Sequence, residues 1–295
     1  MGEPVCHFVK AIVAALIAAS LAATLAMAQV VKAETNTIRL GQVSLSFYAV
    51  VGGIVQEVLE QDGYTVEVTA GSHGDIFPKL GAGEVDILCA AWLPDGHAPL
   101  YAKVKDTTFK IADLYDNAKL YWAVPDYVPA DLVRTIDDLK KPEVAARMDK
   151  RIRGIGASSG LMVGAAKIRE AYGLDAAGYE VIPGESKDWI ENFKQAVAEQ
   201  RWLVMPLWQP QWINAAYKVR VLDEPKGIYG QGDTAVLLGH NSLKTKVPPA
   251  TLAQLAAIKL SVDAVTEMDR WVNVDNLTPR EAAKKWLAAK PLQKT

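Results

Sequence analysis

From Thr37 onward the chain alternates strand-like runs with stretches of helical spacing, and it goes through that plan twice. Strand, helix and strand in succession build a parallel sheet covered by helices, with right-handed connections. In the first run TIRLGQVSLSF (37–47) predicts a strand and its exit loop, YAVVGGIVQEVLEQ (48–61) a helix and YTVEVTAG (64–71) a strand. DIFPKLGAG (75–83) predicts a short helix and VDILCAAWLP (85–94) a buried strand. The second run predicts strands at 119–125, 151–156, 179–184 and 201–210, with helices at 135–148, 159–173 and 186–200. Ser186 is placed as the N-cap of the last of these helices. Strands at 219–225 and 234–239 follow, then a helical tail in which Thr278 is an N-cap and Pro279 the first helical residue. The expected fold class is α/β, in two lobes, each a mostly parallel sheet flanked by helices. In such sheets a ligand sits beyond the carboxyl ends of the strands.

Those ends carry the most informative residues. VDILCAAWLP (85–94) and WLVMPLWQP (202–210) each read as an apolar strand closed by Trp-x-Pro. Each half therefore ends a strand on a tryptophan, Trp92 and Trp208, where a large ring is expected to be only partly covered. Two lobes facing each other would set these rings on opposite walls of one cleft. The chain has 8 Trp. Trp189, Trp271 and Trp286 lie in amphipathic helices and read as packing residues. Trp202 stands at a strand start, away from the carboxyl ends, while Trp122 and Trp212 are open to either role.

Paired aromatic walls suit a cation that donates no hydrogen bonds, such as a trimethylammonium group, at about 0.5–2 kcal/mol per ring. A second element points to an anion. In RIRGIGASSGLMVGA (151–165) a strand, a tight loop and a helix succeed one another, which puts Ser158, Ser159 and the amides near Gly160 at a helix N-terminus. That position favours a carboxylate, although either serine is equally suited to plain capping. Together the two elements describe a zwitterion.

At the N-terminus, AIVAALIAASLAATLAMA (11–28) follows Lys10 and ends in Ala26-Met27-Ala28, with Val31-Lys32-Ala33 as a second cleavage pattern. We read residues 1–28 (or 1–33) as a signal peptide. The expected mature chain begins at Gln29 or Glu34, in the periplasm. An uncleaved anchor is the alternative. Cys89 is then left without an intramolecular partner and reads as a small buried hydrophobe. A net charge of -2 argues against a nucleic-acid partner. His73, His97 and His240 lack metal-ligand spacing, so neither a metal nor a cofactor is expected.

At these residues the chain resembles the glycine betaine/choline-type substrate-binding proteins of ABC importers. The family's A-x-W-L-P-x-x-H segment is matched by Ala90 to His97, and its second Trp segment by Leu207 to Trp212. Its Gly-rich loop is matched by Gly154 to Gly160, and a terminal P-x-E-A-A-K-K-W element by Pro279 to Trp286. The resemblance implies a type II periplasmic-binding fold that closes on a small quaternary ammonium or zwitterionic solute and delivers it to an ABC permease in the inner membrane. It implies lobes formed by 34–115 with 232–295 and by 116–231, and a monomer. The candidate ligand-binding residues are Trp92, Trp208, Phe47, Tyr48, Ser158 and Ser159. Phe47 or Tyr48 takes the place of a further cage aromatic found in many family members.

One rival is enzymatic. Gly156-Ala157-Ser158-Ser159-Gly160 also fits G-x-S-x-G between a strand and a helix, the setting of a hydrolase nucleophile elbow. Asp223 or Asp233, followed by His240, would complete the order Ser, Asp, His. Against it stand the absence of an HGGG-type oxyanion segment and the polar strand Arg151-Ile152-Arg153.

Overall fold

The computed structural model describes residues 36–290. The export signal read from the first 28 or 33 residues lies outside the described residues. Among the described residues nine strands form: β1 (Thr37–Val43), β2 (Thr65–Gly71), β3 (Ile87–Leu93), β4 (Thr108–Pro125), β5 (Arg151–Arg153), β6 (Glu180–Ile182), β7 (Met205–Gln209), β8 (Val219–Val221) and β9 (Asp233–His240). The helices that matter here are α1 (Ser46–Gln61), α2 (His73–Gly81), α3 (Gly160–Ala171), α4 (Ser186–Ala198), α5 (Pro249–Ala256), α6 (Val262–Asn273) and α7 (Pro279–Ala289).

One sheet runs β2-β1-β3-β9-β4-β7, with β8 also on β4, and β5 pairs separately with β6. Strands reached through covering helices are parallel: β1 with β2 and β3, and β5 with β6. The pairs made by the crossing strands β4 and β9 are antiparallel. β4 carries the chain from one lobe to the other. Its first part pairs with β9 and its last part with β7 and β8. The change of partner falls between Ala118 and Lys119, just after Asn117, whose φ of 63° is a left-handed turn that Asn tolerates better than most residues.

Three local expectations change. β4 begins at Thr108, eleven residues earlier than the sequence pattern suggests. Register shifts between Lys110 and Ala112 and between Asp113 and Tyr115 break the alternation that would have revealed it. The helix expected at 135–148 is a 3-10 segment, Ile136–Lys140, and a single α turn, Pro142–Ala145. Pro142 separates them, because the residue before a proline is pushed out of the helical region, and Lys141 has ψ 132°. The N-cap of α4 is Glu185, and Ser186 is already helical. At α7 the expected signal holds: Thr278 accepts from the Glu281 amide, with Pro279 in the first turn. Among the described residues no helix is long and apolar enough to cross a membrane.

Candidate functional site: an aromatic cavity between the lobes

The strand patterns carry Trp92 and Trp208 to the next-to-last residues of β3 and β7. The first turn of α1 brings Phe47 and Tyr48 to the same place. The Phe47 ring lies 5.5 Å from Trp92 and 5.8 Å from Trp208, centroid to centroid, so it touches both walls. Tyr48 lies 6.0 Å from Trp92 and 4.0 Å from Phe47. The two tryptophans are not partly covered, as expected of strand ends. Each is only 2% exposed: Phe47, Tyr48 and His97 stand against Trp92, and Phe47 and Trp189 against Trp208.

Each ring is held from behind. The Trp92 indole N–H donates to the Tyr115 hydroxyl at 3.2 Å. Trp208 stacks on Trp189 of α4 at 5.0 Å and 22°. Trp189 was expected to be a packing residue, and what it packs is the back of the cage. Trp122 is buried against Tyr229, its N–H donating to the Tyr229 hydroxyl, and is not part of the cavity lining.

The space among the rings that a water-sized sphere can reach is about 20 Å³, room for about one water, so the side chains stand closed on one another. Five of the six expected site residues, Phe47, Tyr48, Trp92, Ser159 and Trp208, line it. Ser158 does not. Its Oγ accepts from the Gly74 amide at 3.2 Å, joining the start of α2 to the loop before α3 across the seam between lobes.

The wall formed by the start of α3 is polar. Ser159 caps the helix: its hydroxyl accepts from the Met162 amide and donates to the Gly156 carbonyl. The Gly160 and Leu161 amides, which also line the cavity, have no hydrogen-bond partner among the described residues. Two unpaired amides at a helix N-terminus are donors in search of an anion. Beside them, His97 Nδ1 accepts from the Trp92 amide at 2.9 Å. In the neutral ring the proton then sits on Nε2, which gives a third donor. Burial, together with the nearby His73, holds His97 well below its ordinary pKa, so the ring is neutral.

His73, whose ring centroid is 5.1 Å from that of His97, is lowered to about 4 by burial. The unfolded chain therefore takes up this proton first. The contribution of neutral His73 to stability is complete above pH 6.5 and is lost as pH falls toward 4, by up to about 1.4 kcal/mol per pH unit. Denaturant melts of His73→Gln and the parent at pH 7 and pH 5 should show a flatter loss in the variant. Equal losses would mean that His73 takes no part in acid sensitivity.

Sequence reasoning missed His73, His97, Tyr115 and the role of Trp189. For His97 a signal existed: A-x-W-L-P-x-x-H sets a histidine five residues beyond the cage tryptophan. Tyr115 was hidden in the bulged half of β4.

The hydrolase constellation is not brought together. Asp233 and His240 are the two ends of β9, about 23 Å apart at about 3.3 Å per residue. His240 pairs with Thr108 at the start of β4, while Val221, two residues from Asp223, pairs with Ala123 at its far end. The Asp233 carboxylate instead accepts the Asp95 and Gly96 amides. No group of three or more metal-ligating side chains forms among the described residues.

A family model for the substrate-binding domain of ABC-type glycine betaine transport systems matches residues 36–289. The chain belongs to that family. Among curated relatives, the glycine betaine/carnitine transport binding protein GbuC of Listeria monocytogenes is 26% identical over 151 residues, 51% of this chain. The match spans 50% of that relative's own length. The fold is shared with the glycine betaine/L-proline-binding protein ProX of Borrelia burgdorferi, at TM-score 0.78 and 20% identity, covering 86% of this chain and 93% of that one. Lactococcal OpuAC, closed on glycine betaine, gives TM-score 0.75 and 21% identity over 86% and 96%. An ABC-transporter choline-binding protein in complex with choline gives 0.78 and 18% over 88% and 90%. The type II periplasmic-binding fold implied by the sequence motifs is the fold of this family member.

Proposed function

We propose that the protein captures a small solute carrying both a quaternary ammonium group and a carboxylate, glycine betaine or a related betaine, and delivers it to an ABC permease in the inner membrane. The observation that carries this reading is the convergence of Phe47 and Trp92 from one lobe and Trp208 from the other on one cavity. A trimethylammonium group offers no hydrogen bonds and is weakly hydrated, so rings satisfy it at little desolvation cost. The Gly160 and Leu161 amides and His97 Nε2 supply three donors to its carboxylate. Among the described residues no lysine or arginine lines the cavity, so the carboxylate is met by neutral donors and a helix terminus. Trp92, Trp208, Phe47, Tyr48 and Ser159 act as the ligand's walls in this reading, and Ser158 acts at the seam.

The lobes would be 34–115 with 232–295, and 116–231. Supporting this division, β4 changes partners between Ala118 and Lys119, and the chain returns through Gly230 and Gly232, both with positive φ. The protein would act as a monomer in the periplasm after export. Thermal melts of the mature protein with glycine betaine, carnitine, choline, proline and a neutral sugar test the reading. Glycine betaine should stabilise the protein in step with its concentration, by about 2.7 kcal/mol at one hundred times its Kd, and raise the melting temperature accordingly. Choline, with no carboxylate for the Gly160 and Leu161 amides, should do less. Stabilisation by the sugar and by no quaternary ammonium compound would overturn it.

A further inference from the structure

Buried carboxylates are ordinarily neutralised by a cation. Asp86 follows that rule: it is buried, with Arg39 and Lys246 each 2.7 Å away. Asp269, on α6, is 0% exposed and forms no ion pair among the described residues. Its oxygens accept from the Trp212 amide at 2.8 Å and from Asn273 Nδ2 at 2.9 Å, and beside them lies the Ser46 hydroxyl, which itself accepts from Asn273 Nδ2. None of these donors carries a charge.

The surroundings of Asp269 explain the anomaly. Ser46 precedes Phe47 in the first turn of α1. Trp212 lies four residues beyond Trp208. Tyr115, whose hydroxyl receives the Trp92 indole N–H, is pushed up by burial and also by the charge of Asp269. One carboxylate thus sits among the segments that carry all three cage rings, two from one lobe and one from the other. We infer that Asp269 is the counter-charge of the site, a specificity-determining residue behind the cage whose missing cation is the ammonium group of the solute.

The field of one carboxylate crosses an apolar wall with little screening. Aromatic faces attract a cation but also accept a neutral tert-butyl group of the same shape by apolar contact. The carboxylate is what separates the two. The inference rests on the proposed ammonium ligand, and ligand pairs identical but for that charge test both parts. Glycine betaine pairs with tert-butylacetate, and choline with neohexanol. In each, carbon replaces the ammonium nitrogen.

Calorimetry should show the parent preferring the ammonium member of a pair, and Asp269→Asn shrinking that preference about tenfold. Lost packing or a loosened lobe contact would weaken both members alike and leave the ratio standing. A parent without preference for the ammonium member sinks the ammonium reading itself. A parent with that preference and an Asp269→Asn variant with the same ratio sinks the role of Asp269 alone.

Should the variant not fold, the unmodified protein reads the same coupling. Asp269 is raised to about 6 by burial, against the neighbouring Ser46 hydroxyl and the hydrogen bonds from Trp212 and Asn273. A cation beside it should expel a proton near pH 6. Glycine betaine and tert-butylacetate share the carboxylate, so His73 and His97 respond alike to both, and the faces of Tyr48 and Tyr115 stay neutral with either. Calorimetry in buffers of different ionisation enthalpy should then show more proton release with glycine betaine. Equal release would overturn the assignment.

Discussion

Replacing Trp208 or Trp92 by alanine should weaken the binding of glycine betaine roughly thirtyfold or more. Each ring supplies cation–π attraction and apolar contact, together about 2 kcal/mol or more, and 1.4 kcal/mol is a factor of ten. The two variants differ in what they disturb behind the cage. Trp92→Ala also strands the Tyr115 hydroxyl, which loses its indole donor. Trp208→Ala uncovers Trp189, which can lean into part of the gap because the two rings are nearly parallel. Trp92→Ala should therefore be the more damaging. Trp271→Ala and Trp286→Ala serve as controls. Both rings are buried in the helical layer of α6 and α7, Trp271 beneath the Lys285 ammonium. Their loss should cost about 3–5 kcal/mol of stability and leave affinity in the folded fraction nearly unchanged. Titration calorimetry decides between these outcomes, and unchanged affinity in both cage variants would reduce Trp92 and Trp208 to packing residues.

A single methyl group should do comparable harm at Gly160. A Cβ built there would stand 1.9 Å from the Gly96 carbonyl oxygen. Neither side of that contact is a flexible side chain: one is the first residue of α3, the other the loop that follows Trp92. The Ser158–Gly74 hydrogen bond lies on the same seam. Gly160→Ala should therefore hold the lobes apart, at about 1–3 kcal/mol, which weakens the ligand roughly five- to 150-fold. The melting temperature of the ligand-free protein should barely move, since each lobe keeps its own core. Small-angle scattering with saturating ligand should show a larger radius for the variant than for the parent. An unchanged affinity would mean that Gly96 and Gly160 can part without loss of the bound state.

The lobed α/β architecture and two walls of the cage were legible because they rest on short-range signals. An apolar run closed by Trp-x-Pro announces a buried strand and its exit, and repetition in the second half turns a lone tryptophan into a pair. The Gly160 amides were legible for the same reason, through a strand, a small-residue loop and a helix. The rest depends on distance along the chain. Trp208 and Trp189 are 19 positions apart, Asp269 and Ser46 more than two hundred, and no periodicity links them. The bulges of β4 erased its alternation and hid Tyr115 with it. Pro142 cut a helix that spacing alone made continuous. Only His97 stood in plain view, at a fixed offset from Trp92 within a quoted motif.

The stacked pair Trp189 and Trp208 has an optical consequence. Two indoles 5.0 Å apart and within 22° of parallel share their electronic transitions, so the pair absorbs and rotates polarised light as one chromophore. One member faces the cavity and the other is anchored in α4. A solute that turns or polarises Trp208 changes the coupling without touching Trp189, and the near-ultraviolet circular dichroism changes with it. The protein carries an intrinsic, label-free reporter of occupancy at its own site.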